Sequence, residues 1–112
     1  MELEPYFKTA IENNASDLHL IEGSVPALRV SGELIRFKEG AIPYGELKHS
    51  IYLYLDNYTK DRFKRKRDID LSMEFFGNRF RVNLHFQKGK IGLSARLVPK
   101  KTFTPKKSDL MK

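Results

Sequence analysis

No cysteine occurs among the 112 residues, which excludes disulfides, thiolate metal ligands and cysteine nucleophiles. Tryptophan is absent too. No apolar run approaches the ~18 residues a membrane-spanning helix requires. The N-terminal stretch MELEPYFK is acidic and amphipathic, unlike a secretory signal, so the expected location is the cytoplasm. Repeats, Gly/Ser linkers and low-complexity tracts are missing. The phosphate-cradling pattern Gly-x-x-x-x-Gly-Lys-[Ser/Thr] is missing as well: Gly40 and Gly45 have the spacing but Glu46 follows, and Gly89-Lys90 lacks the glycine-rich approach. No serine-nucleophile motif is found. His19, His49 and His85 are scattered, with no helical partner at zinc-ligand spacing. Neither a catalytic residue nor a metal site is expected within these residues.

What remains is a small globular chain. At 13.1 kDa it is one domain's worth of sequence, able to bury roughly two-thirds of its unfolded surface. Hydrophobic residues are 40% and charged residues 31%, which suits a packed domain and argues against wholesale disorder. Lys and Arg outnumber Asp and Glu by 21 to 14, giving a net charge of +7. That excess favours anionic partners: phosphates, nucleic acid, acidic lipid or an acidic protein face.

The hydropathy pattern predicts an α+β domain. Leu3, Phe7, Ala10 and Ile11 recur at helical spacing over Glu2–Asn14. Ser16–Ile21 alternates as a half-buried strand. Ala27–Ser31 and Leu34–Phe37 read as short strands about a Gly32-Glu33 turn of type II′. A second helix is expected from Pro43 or Tyr44 to about Lys66, with Leu47, Ile51 and Leu55 inward. Residues 70–97 form a three-stranded meander: Leu71/Met73/Phe75, Phe80/Val82/Leu84/Phe86 and Ile91/Leu93/Ala95/Leu97 share one apolar face. Residues 100–112 read as a basic linker or frayed end, with a short helix from Ser108 considered.

The meander's register puts Arg79, Arg81, Asn83, His85 and Gln87 on one polar face and Arg96 on the matching face of the neighbouring strand. Asp17, Asp70 and Glu74 are available to neutralise these arginines within the sheet, and so is a phosphate held by forked N–H donors. On spacing alone a merely solvated face stands first. His19 beside Asp17 reads as either an acid–base pair or a structural cluster. Lys64, Arg65, Lys66 and Arg67 form a basic patch at the second helix's end. Nucleic-acid binding there ranks behind, because the strand phenylalanines lie on the apolar face rather than outward for stacking.

Several stretches, taken in order, resemble one family. Ala15-Ser16-Asp17-Leu18-His19 is similar to the ASDLH signature of the N-terminal domain of PilT-like twitching-motility and type II secretion ATPases. Pro26 to Arg29 and Gly32, Asp70-Leu71-Ser72, Arg79-Phe80-Arg81-Val82-Asn83 with Gln87, and Arg96-Leu97-Val98-Pro99 follow at the family's spacing. The resemblance spans about residues 15 to 99. It implies a PAS-like fold: an antiparallel sheet of about six strands with two main helices on one face, occupying residues 1–99.

It also implies that Arg81, Arg96 and Arg79 lean toward nucleotide phosphates at the seam with a RecA-like ATPase core, which reverses the order of the two readings of the arginine face. Asp17, His19, Arg29, Asn83 and Gln87 become interdomain or structural candidates. ATP and Mg are implied as cofactors of a longer parent only. The implied partners are that core, neighbouring subunits of a hexameric ring, and an inner-membrane pilus or secretion platform, with the protein cytoplasmic and peripheral to the membrane. The core would follow Pro99, and its P-loop is not in this sequence. The alternative is a stand-alone basic module that binds nucleic acid or anionic lipid.

Overall fold

The computed structural model describes residues 1–99. The tail expected at 100–112, with its considered helix, lies outside the described residues. Six strands form one antiparallel sheet with three helices. In chain order these are α1 (Glu4–Glu12), β1 (Asp17–Ile21), β2 (Ala27–Val30), β3 (Glu33–Arg36), α2 (Glu46–Tyr52), α3 (Asn57–Lys66), β4 (Asp68–Phe75), β5 (Asn78–Gln87) and β6 (Lys90–Leu97). The sheet order is β3-β2-β1-β6-β5-β4. The pairing of β1 with β6 joins the two ends of the domain and sets Asp17 opposite Arg96.

Burial follows the alternation. Leu18 and Leu20, Phe80, Val82 and Leu84, and Ile91, Leu93 and Ala95 are buried on one face, where Phe7, Leu47, Ile51 and Phe63 of the helices join them in a single core. Phe7 stacks on Phe75 with centroids 3.9 Å apart and meets Phe80 edge-on at 4.8 Å. Phe63 stacks on Phe86 at 4.6 Å, pinning α3 to β5.

Two local expectations change. The helix expected over 43–66 is two helices. Asp56 is extended, and its carboxylate accepts the Thr59 N–H at 2.7 Å, so it starts α3 afresh after the turn at Leu53. That gives three helices where two were expected. The β2–β3 turn also sits one residue earlier than expected. Ser31 (φ 50°) and Gly32 (φ 83°) both take the left-handed conformation, a type I′ turn, and Val30 pairs with Glu33. Phe76-Gly77 and Lys88-Gly89 repeat this device between β4, β5 and β6.

Glu22, read as part of a turn, is a buried carboxylate. It accepts the Gly45 N–H at 2.6 Å and the Ile91 N–H at 2.9 Å, tying the start of α2 to β6.

Candidate functional site

The uncovered face of the sheet carries the polar residues in rows fixed by register. One row reads Leu34, Arg29, Asp17, Arg96, Arg81, Ser72 across all six strands. Arg81 and Arg96 are direct cross-strand neighbours. Two guanidiniums so placed repel one another, and an anion between them relieves that repulsion. Asp17 supplies part of the compensation: its Oδ1 lies 3.4 Å from Arg96 Nε, while its Oδ2 accepts the Ser16 hydroxyl at 2.8 Å. Among the described residues Arg81 makes no ion pair, and it is exposed. Arg81, Arg96, Asp17, Asp70, Asn83 and Ser94 line a shallow depression of about 300 Å³.

The other candidates divide by position. Arg79 stands one row away, opposite Glu74, and does not line the depression. Arg29 is in the row, but its Nη1 donates to Gly32 O at 3.0 Å, holding the β2–β3 turn. His19 faces Ser94 Oγ at 3.4 Å and makes no hydrogen bond to Asp17, which turns instead to Arg96 and Ser16. Gln87 sits at the far end of β5, about 20 Å along the strand from Arg81, beside Lys88 and Lys90. Lys64, Arg65, Lys66 and Arg67 lie at the end of α3, apart from the arginine row. Arg65 pairs with Asp61 at 3.2 Å, and the Arg67 guanidinium lies 4.6 Å from the centre of the Phe86 ring.

Asn83 organises the middle of the face. Its Nδ2 donates to Asp68 Oδ1 at 2.7 Å and reaches Asp70 Oδ1 at 3.2 Å. Its Oδ1 contacts His85 Nδ1 at 2.9 Å. Carboxylates only accept, so the amide orientation is forced, and His85 donates from Nδ1. The His85 ring lies over Gly92, where a β-carbon would overlap it. The sequence reading missed Ser94, Asp68 and Gly92. Alternation places all three on the polar face, but only the pairing of β6 between β1 and β5 shows what they touch. No group of three acidic or histidine side chains fit to hold a metal occurs among the described residues, and no described helix is long and apolar enough to cross a membrane.

No family model matches the chain. It is 30% identical over 105 residues to the type IV pilus retraction ATPase PilT of Pseudomonas aeruginosa, a match covering 93% of this chain and 30% of that protein. Among solved structures it is similar to the pilus retraction motor PilT with bound ADP, with a TM-score of 0.81 and 26% identity over 90% of this chain and 30% of that one. The ATPase DotB of Legionella pneumophila shares the fold, with a TM-score of 0.73 and 24% identity over 87% of this chain and 28% of its own. The chain thus spans 30% of the length of the PilT proteins it matches.

Proposed function

We propose that this chain is an N-terminal domain of the PilT-like family of pilus retraction and secretion ATPases, to whose members it is similar, and that it faces Arg81 and Arg96 toward the phosphates of nucleotide held by an ATPase core. The observation that carries this reading is the cross-strand pair itself: Arg81 opposite Arg96 above an open depression, with Arg81 free of any ion pair among the described residues. Asp17 offsets part of the charge through Arg96, and Arg81 is left open to a further anion.

As charge grows on the transferring phosphoryl oxygens, guanidinium N–H groups stabilise it more than they stabilise the ground state. Arg96, steered through Nε by Asp17, keeps its terminal nitrogens for the ligand. Arg81 supplies the second fork. ATP and Mg would be held by the core, in a ring of subunits whose movement this domain passes on beside an inner-membrane platform. The domain by itself hydrolyses no ATP in this reading, because a phosphate-cradling loop is not in its sequence.

The test is steady-state ATPase activity of the full-length parent. Arg81→Ala and Arg96→Ala each lower turnover on the order of 10²-fold or more, with the domain's melting temperature unchanged. Wild-type turnover in both variants would overturn the arginine assignment. Hydrolysis by the purified domain, lost on Arg81→Ala, would overturn the scaffold reading.

A further inference from the structure

A second charged surface lies at the opposite end of β6. Lys64, Lys66 and Arg67 close α3, Lys88 is the first residue of the β5–β6 turn and Lys90 follows it. The two segments are locked together: the Phe86 N–H donates to Arg67 O at 3.1 Å, and Phe63 stacks on Phe86. The five cations are therefore presented by a rigid frame. Among the described residues none of them makes an ion pair. The acids of adjoining segments are engaged elsewhere: Asp61 with Arg65, Asp68 with Asn83, and Glu22, buried, with two backbone N–H groups.

We propose that this end docks on an anionic lipid surface. Three features favour a bilayer. The cations project from a hairpin tip and a helix terminus, as contact with a flat charged plane requires. Tyr44, 67% exposed, stands beside Lys90, whose Nζ lies 5.6 Å from its ring centre, the aromatic-plus-lysine combination that settles at headgroup level. Beside them, Ser24, Gln87, Lys88 and Lys90 line a depression of about 290 Å³ with room for a phosphate headgroup. A nucleic-acid surface would instead set aromatics in a row for base stacking, whereas the strand phenylalanines Phe75, Phe80 and Phe86 turn into the core. Lys90 is about 20 Å along β6 from Arg96, so lipid and nucleotide could be engaged at once.

The experiment is co-sedimentation of the full 112-residue chain with vesicles of phosphatidylglycerol and phosphatidylethanolamine, against vesicles of phosphatidylcholine alone. The wild-type chain partitions onto the anionic vesicles and is released as salt rises. The Lys66→Glu/Lys88→Glu/Lys90→Glu variant binds at least roughly tenfold more weakly. The corresponding glutamine variant, which removes charge without adding repulsion, falls between. Lys8→Glu/Arg79→Glu/Arg81→Glu changes the net charge equally, at exposed positions away from the cluster, and retains most of the binding. Equal loss in that control would reduce the effect to net charge and overturn the proposal. Binding to phosphatidylcholine alone, or single-stranded RNA bound more tightly than vesicles and through the same lysines, would overturn it as well.

Discussion

Single side chains on the open face are held by neighbours that leave them little choice. Asp68 and Asp70 turn the Asn83 amide, the amide fixes the proton on His85 Nδ1, and Gly92 leaves room for the ring. Gly92→Ala is therefore expected to push the imidazole off Asn83. Nitrogen chemical shifts of the His85 ring report this, as the protonated-Nδ1 signature gives way to a tautomer mixture, and unchanged shifts would refute it. Glu22 acts similarly in the interior. Glu22→Ala leaves the Gly45 and Ile91 N–H groups buried without their acceptor and should cost on the order of 3 kcal/mol in denaturant unfolding. The turn-like string Glu22-Gly23-Ser24 hid this role, because acceptance from residues 23 and 69 positions away leaves no local pattern.

At the scale of elements, the apolar spacing of Leu47, Ile51 and Leu55 suggested continuity through a point where the backbone breaks. Asp56 competes for the backbone and wins by capping α3. Its carboxyl sits below the usual carboxylate range, chiefly because the Thr59 side chain and backbone donate to it. A depressed carboxyl contributes stability above its unfolded value and loses it as pH falls through the folded one. Asp56→Ala should lower the melting temperature at neutral pH, and this difference from wild type should shrink in acid. A difference independent of pH would contradict the cap. Packing of the same element rests on Phe63, fully buried against Phe86. Phe63→Ala is expected to cost about 3–5 kcal/mol in equilibrium unfolding.

Across the whole molecule, two tyrosines tie distant segments together. Tyr6 donates to Glu39 at 2.8 Å, and the Tyr54 hydroxyl donates to Glu4. Burial, and then the bonded carboxylate, push both phenols up to about 12. A proton held more tightly in the folded state stabilises below the unfolded value near 10. That contribution is lost as pH rises from there toward 12. Stability measured by denaturant titration should decline over that window, and Tyr6→Phe/Tyr54→Phe should flatten the decline. An equal slope in the double variant would locate the alkaline sensitivity elsewhere.

The sequence by itself determined the strands, the apolar face they share, and the gathering of Arg81, Asn83 and His85 on the other face. Alternation with period two is a local property, and a buried face enforces it residue by residue. It also carried the family resemblance, through motifs that read along the chain. Only the tertiary structure decided that β6 lies between β1 and β5, which brings Asp17 to Arg96 across 79 positions and seats Ser94 beside His19. The same packing brought the end of α3, with its lysines, beside the β5–β6 hairpin. Contacts of that kind depend on which surfaces meet in the core, and no spacing along one strand or helix encodes them.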